Sequence, residues 1–360
     1  MQNTFKGCTN LLEAPELSPN ATNGVDMFKG CTSLVSTPSV IPSSFIGIQN
    51  MFEGCTSLVT TKFSIIPSTI NTENGAEAVF KGCTSLVAGP SIIESGVIDT
   101  ASMFEGCESL TTTPSNLGST IIEMNSMFKD CSSLVQLAFK ELPATAKNLS
   151  SMFEGCKLLK SGPANLSVAV TDCSSMFRNC SSLLYTSDFA SGTSLLTNCN
   201  NMYQKCTSIT QSSRIPDCVL SVNNMFNGCE NLITLANNGI RATTHNNFLT
   251  GCTSLTTIRE FNLTNFTNPL HASYFGTGSN ACSKLANITF IGSVRIPLNL
   301  GFTDNLTTIP TFESMVNALD QRTASSTLNL TISETSQKNL TTSQKATIAS
   351  KYWTVSTPEY

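Results

Sequence analysis

The sequence predicts an α/β repeat protein, a solenoid of about 12 coils of ~24 residues, on three observations. The block Asn50-Met51-Phe52-Glu53-Gly54-Cys55-Thr56-Ser57-Leu58 recurs along the chain. Its cysteines are Cys8, Cys31, Cys55, Cys83, Cys107, Cys131, Cys156, Cys180, Cys206, Cys229 and Cys252, ten intervals in 244 residues with a mean period of 24.4. Large apolar residues hold a fixed phase in nearly every copy. A degenerate twelfth copy surrounds Cys282, where Gly276-Thr277-Gly278 displaces Phe275 while Leu285 keeps the leucine place.

Each position of the block has a physical reason. Three residues after the cysteine stands Leu in ten of eleven copies, with Ile209 the exception. Three before it stands an aromatic in ten of eleven, with Leu249 the exception. Large apolar residues at one phase are core positions, stacked in columns from coil to coil. The residue before the Met-Phe pair is Asn, Ser or Asp except at Ala78. Such side chains cap helix N-termini, and Asn50…Glu53, Ser102…Glu105 and Ser151…Glu154 have capping-box spacing. Before the cysteine stands Gly in eight copies, with Asp130, Asn179 and Lys205 elsewhere. Gly, Asn and Asp tolerate the left-handed conformation that ends a helix. Each coil therefore reads as a short helical turn, a tight stop, a short strand through the leucine, and a Pro-marked exit such as Pro38, Pro90, Pro114 or Pro163. Strands in one phase stack as a parallel sheet, so the fold class is a leucine-rich-repeat solenoid. A parallel β-helix competes, without a capped helical turn in each coil.

The block resembles the BspA-type bacterial leucine-rich repeats, whose pattern runs Ala or Met, Phe, two residues, Cys, two residues, Leu. The likeness covers roughly residues 1–300. It implies a surface-exposed or secreted adhesin, bacterial or from a bacteriophage. The sequence departs from that pattern after the leucine, where Thr37, Thr61, Gly89, Thr113 and Gly162 replace an inward aliphatic.

Two regions are expected: the solenoid over 1–300, and a C-terminal α/β cap over 301–360. The solenoid begins part-way through a coil, since residues 1–8 align with 48–55. This implies a missing upstream segment or an N-terminal edge that docks on a partner. The cap reads as a helix over about Phe312–Gln321, a strand over Thr327–Ser333, and a helix from about Ser343 to Tyr352-Trp353. Trp353, the only tryptophan, is expected to cover the last coil.

Composition excludes several classes. Only 12% of residues are charged, net charge is −4, and the 20 Lys and Arg are scattered, which argues against nucleic acid. No polybasic run or long apolar stretch points to membrane insertion, and residues 1–8 carry no signal-peptide pattern. The repeat cysteines lack zinc-type pairing and read as buried thiols, so no metal or cofactor is expected. Cys173 and Cys199 share a phase in adjacent coils, which leaves a bridge between them open, and Cys218 is unpaired by pattern. His245 and His271 are the only histidines and neither stands beside a nucleophile motif; His245 shares the core phase of Val222 and Ile48. Glu53, Glu105 and Glu154 are accounted for by the cap.

A ligand is expected on the strand face. Residues two after the leucine, Ser36, Thr60, Thr112, Gln136, Tyr185, Gln211, Thr234 and Thr257, are expected to point outward, with Lys62, Arg214 and Arg259 close behind. Tyr185, Gln211 and Arg214 are the expected hot spot, because aromatics and Arg carry binding energy disproportionately. The expected function is a non-enzymatic binding or adhesion module for a host protein or glycan, at a cell or virion surface. A structural part of a larger assembly is the second reading, and a hydrolase on repeats the third.

Overall fold

The computed structural model describes residues 2–236, 242–262, 264, 272–300 and 309–357. It holds two compact units: Met1–Leu183 with Ala190–Leu196, and Leu184–Phe189 with Thr197–Tyr360. The first is a solenoid in which the recurring block sits at the same place in every coil; the second begins as one and ends in a run of helices and strands.

In the first unit the block is a turn closed by two different hydrogen-bond sets. Asn50, Phe52 and Gly54 donate their N–H to Glu77, Val79 and Lys81 of the next coil, at 3.0, 2.8 and 2.7 Å. Between them, Met51, Glu53 and Cys55 donate to Ile48, Asn50 and Phe52, three residues back. An α-helix would spend every N–H on the fourth residue before it. Here alternate N–H groups run along the stack instead, so the expected helical turn does not form. Among the described residues no α-helix precedes Ala272. The expected caps are corrected in the same way: Asn50 has φ 54° and Ser102 φ 54°, with Gly54 at φ 73°. Every copy puts both of these positions in the left-handed region, the first as well as the second. Asn, Asp and Gly are the residues that reach it at least cost, and Ala78 and Lys205 reach it against their preference.

On the opposite side the hydrogen bonds run backward, from Val35 N–H to Leu12 O (2.9 Å) and from Val87 N–H to Val59 O (2.8 Å). Strands there are short, as in β1 (Ile65–Ile66), which pairs in parallel with β2 (Ile92–Ile93), and in β3 (Asn165–Leu166). Isolated parallel bridges continue the ladder, for example Thr60 to Ala88 and Ala88 to Thr112.

The columns are continuous through this unit. The rings of Phe5, Phe28, Phe52, Phe80, Phe104, Phe128, Phe153 and Phe177 stack at 5.4 to 5.6 Å with planes within 11°. Phe63 and Phe139 pack onto the same column. The cysteines do more than fill space. Cys55, Cys83, Cys107, Cys131, Cys156 and Cys180 each donate Sγ–H to the carbonyl of the aromatic in the preceding coil, at 3.0 to 3.2 Å. Burial pushes the Cys55 thiol up to about 12, so it stays a donor at any physiological pH. The hydroxyls that replace inward aliphatics are satisfied too: Thr37 and Thr113 accept from the N–H of Lys62 and Ala138, one coil on.

The second unit begins with β4 (Asp188–Phe189). It contains the parallel sheet β5 (Thr234–Leu235), β6 (Thr257–Asn262) and β7 (Asn287–Ile291), in that order. Between β6 and β7 lies the one-turn α1 (Ala272–Phe275). β7 is then covered by α2 (Ile309–Ala318): Thr311 Oγ1 and Ser314 Oγ accept the N–H of Ile288 and Phe290, both at 3.1 Å. The segment closes with β8 (Leu298–Asn299), β9 (Leu328–Thr331), α3 (Glu334–Asn339), α4 (Thr342–Ser350) and β10 (Trp353–Ser356). Its sheet runs β10-β9-β8, all parallel. The last helix therefore ends before the aromatic pair, and Trp353 opens a strand. Its ring is buried and its Nε1–H donates to Asp320 O at 3.0 Å, where α2 has ended.

Candidate binding faces

The turn side of the first unit carries a column of charge two residues before each cysteine: Lys6, Lys29, Glu53, Lys81, Glu105, Lys129, Glu154, Arg178. From Lys29 onward the sign alternates, and neighbours pair across coils: Lys29–Glu53 at 2.7 Å, Lys81–Glu105 at 2.9 Å, Glu154–Arg178 at 3.7 Å. Burial raises the Glu105 pKa, but hydrogen bonds from Lys81 and Ser102 outweigh it and the net shift is downward. These glutamates face ion-pair partners in adjacent coils; capping is not their role. A slip of one coil would set like charges together, so the column fixes stacking register.

Eight residues before the cysteine runs a row of Asn and Asp. Asn23, Asp99, Asn148 and Asp172 each accept from the N–H two residues on. Asp99 is the buried acid of the row. Desolvation lifts it to about 6 against the Ala101 N–H that stabilises its charge, and Glu77, Glu123 and Glu73 add to the rise.

The strand side differs most from expectation. Among residues two after the leucine, Thr60, Thr112, Gln136, Tyr185 and Gln211 are exposed, while Ser36, Thr234 and Thr257 are half-buried. The exposed apolar residues lie one position earlier, at Leu12, Val35, Val59, Val87 and Val135 in the first unit and Leu184 and Ile233 in the second. This ridge was missed, although a residue next to an inward leucine on a strand must face outward. Lys62 is exposed in the first unit, its charge felt by Glu16, whose pKa is lowered first by the hydroxyl of Ser39. Gln136 is exposed in the same unit.

In the second unit Tyr185 is 70% exposed, more than any other large apolar side chain described. Its neighbour Thr186 accepts from Ser213 N–H at 2.6 Å and pairs with Ser213 Oγ at 2.8 Å, so Tyr185 lies one coil from Gln211 and Arg214. Gln211 bridges in parallel to Thr234, whose neighbour Ile233 is exposed. Arg214 is exposed and holds a contact to Asp217, also largely exposed, at 3.5 Å. Arg259 is exposed at the β6 irregularity between Ile258 and Phe261, beyond the coil that follows Arg214, and does not join the cluster.

The remaining sequence candidates are quickly placed. Cys173 and Cys199 are buried thiols, and the Cys218 thiol is half-buried. His245 is half-buried against the Tyr274 ring at 5.5 Å; His271 lies outside the described residues. Among the described residues no group of three or more His, Cys, Asp or Glu could hold a metal ion, and no helix is long and apolar enough to cross a membrane. A hollow of about 350 Å³ lies by Glu334, Gln337, Lys338, Leu340, Lys345 and Val355. Its Glu334 is held below the usual carboxylate range by its hydrogen bond to Lys338.

A family model described as Mycoplasma protein of unknown function, DUF285, matches residues 75–189 and again 144–243. No curated protein matches. Among solved structures, the chain is similar to a leucine-rich repeat protein of Bacteroides ovatus (17% identity, TM-score 0.42, 83% of this chain and 72% of that one). It is similar to a leucine rich cell surface protein of Faecalibacterium prausnitzii (15%, 0.36, 79% and 80%). A leucine-rich repeat protein of T. pallidum also matches (24%, 0.30, 51% and 69%).

Proposed function

We propose that this BspA-type leucine-rich-repeat solenoid is a non-enzymatic recognition module for protein partners. Its setting is adhesion at a bacterial or virion surface, with a host protein or glycan as ligand. The observation that carries the reading is Tyr185, a 70% exposed aromatic on a hydrogen-bonded coil, with Gln211 and Arg214 on the next coil and Ile233 on the one after. An aromatic with two torsions, fixed on a rigid ladder, loses little entropy when a partner covers it, and a nearby Arg adds directed hydrogen bonds. The surface location rests on the repeat resemblance.

The test is binding of the whole chain to arrays of host matrix proteins and glycans, followed by titration of each hit. Tyr185→Ser weakens the ligand by about 30-fold or more and Arg214→Ala by about tenfold, in line with hot-spot truncations. A ligand held equally by the wild type and both variants overturns the reading.

A further inference from the structure

The aliphatic ridge of the first unit has its own occupant to explain. Over seven coils the position after the leucine reads Leu12, Val35, Val59, Val87, Thr111, Val135, Lys160. The five aliphatics are 37 to 61% exposed at one phase of successive coils, and backbone bonds join neighbours in three stretches: Val35 to Leu12, Val87 to Val59 with Thr111 to Val87, and Lys160 to Val135. Single exposed valines need no explanation, but a row in register is a patch.

Charge says what fits it. The columns one, two, four and five residues after the cysteine make up this face. Across its seven coils they hold only four charged residues: Glu13 in the first coil, Glu108 in the fifth, and Lys157 and Lys160 in the seventh. Glu13, Lys157 and Lys160 are all exposed. The face is thus acidic at one end, basic at the other and largely apolar or hydroxylated between.

We propose that this face binds a second copy of the chain about a two-fold axis that runs along the strands and passes through Val87. Val87 then meets its own counterpart, Val35 meets Val135, Val59 meets Thr111, and Leu12 and Glu13 meet Lys160 and Ser161, with Lys157 on the same coil about 13 Å along the strand. The other face-to-face arrangement, with the axis along the stack, would set Glu13 on Glu13 and Lys160 on Lys160, and charge rejects it. A shift by one coil loses both the ion pairs and the Val87 contact. The interface is isologous, as a closed dimer requires. Six coil steps of about 4.8 Å by five residues make a footprint of about 29 by 13 Å. That is small against the roughly 800 Å² per partner of a standard interface, so the dimer is weak and forms at high local concentration, as on a crowded surface.

The experiment is sedimentation equilibrium of the whole chain from about 5 to about 500 µM, with circular dichroism melts to confirm that each variant folds. The wild type shows a monomer–dimer equilibrium, and Val87→Arg is monomeric throughout. Glu13→Lys weakens the dimer about tenfold, and so does the pair Lys157→Glu/Lys160→Glu. Combining all three changes restores it. With Cys8, whose thiol is exposed, replaced by Ser throughout, Val87→Cys is cross-linked to itself by a short bismaleimide, whereas Val35→Cys is cross-linked only when mixed with Val135→Cys. A monomeric wild type, a dimer untouched by Val87→Arg, or a combined variant that stays weak overturns the proposal. So does a different protein on this face, seen as a ligand lost by Val87→Arg from a chain that stays monomeric. Tyr185→Ser leaves the dimer unchanged, so failure here is separable from failure of the recognition reading.

Discussion

Replacing Phe128 by Leu tests whether the aromatic column, as distinct from mere burial, holds the coils together. Phe128 is fully buried and stacks on Phe104 at 5.5 Å and 3°, on Phe153 at 5.6 Å and 5°, and against Phe139 at 6.3 Å. A hydrophobic swap of near-equal volume ordinarily costs under about 1.5 kcal/mol. Each aromatic pair adds about 0.5–1.5 kcal/mol beyond its area. Losing three pairs therefore brings Phe128→Leu to about 1.5–6 kcal/mol, a range that spans what a full truncation to Ala costs in an ordinary core, about 3–5 kcal/mol. Because coils contact only their neighbours, the loss is local. Native-state hydrogen exchange is the suitable assay, since long arrays need not unfold in one step. The amides of Phe104, Phe128 and Met152 should open first, while Phe28 and those of the second unit keep their protection. A cost below about 1.5 kcal/mol, or protection lost evenly along the chain, would refute the column as the source of cohesion.

Three further outcomes are expected. Asp99 is buried with its pKa raised to about 6, so its contribution is present below the unfolded value near 4 and is lost as pH rises through 6. Asp99→Asn keeps the acceptor for Ala101 N–H, as Asn23 and Asn148 do in their coils. It should stabilise by about 2–3 kcal/mol at pH 8 and by nearly nothing at pH 4, read from urea midpoints. Lys205 sits at φ 60° where most copies have Gly; Lys205→Gly should raise stability by about 0.5–1 kcal/mol, and a fall would contradict the assigned backbone. Lys351 Nζ donates to Val316, Asn317 and Leu319 carbonyls at 2.9, 3.2 and 2.7 Å, closing the end of α2. Lys351→Met should cost about 2–3 kcal/mol and lower the denaturation midpoint followed by the fluorescence of Trp353, which is bonded to Asp320.

The coil was legible because its period, its aromatic and its leucine are carried by residue size, and size decides what can stack inside. The path between them was not. Asn50 or Ser102 before an apolar pair reads equally as a helix cap and as a left-handed turn residue; what decides is whether the next N–H points back along the chain or across to the next coil. That depends on a neighbour some 24 residues away. Glu53 shows the same ambiguity: its capping-box spacing is real, yet Lys29 one coil back offers a full charge, and the ion pair wins. The outward ridge was within reach, because Val35, Val59, Val87 and Val135 each follow a core leucine directly. The shared phase of Tyr185 and Gln211 in adjacent coils was likewise visible in the spacing, whereas the irregularity in β6 beside Arg259 is announced by no spacing.

The cysteine is the instructive case, because the chain itself held the missing signal. A position that asked only for a small buried hydrophobe would drift among Ala, Val and Cys, as the phase of Cys173 drifts to Ile48, Met124 and Val222. The repeat cysteine never drifts in eleven copies. Invariance without variation in kind points to a bond that only one side chain can make in that volume. A serine would reach less far, and an alanine would remove the second donor to the carbonyl of the preceding aromatic, which otherwise holds only the N–H of the cysteine in its own coil, at about 0.5–1.5 kcal/mol. The thiol supplies a donor that burial keeps protonated, at a distance of 3.0 to 3.2 Å fixed by the stacked rings. Phe and Cys are therefore one device: the ring sets the spacing between coils, and the sulfur bonds across the gap that the ring leaves.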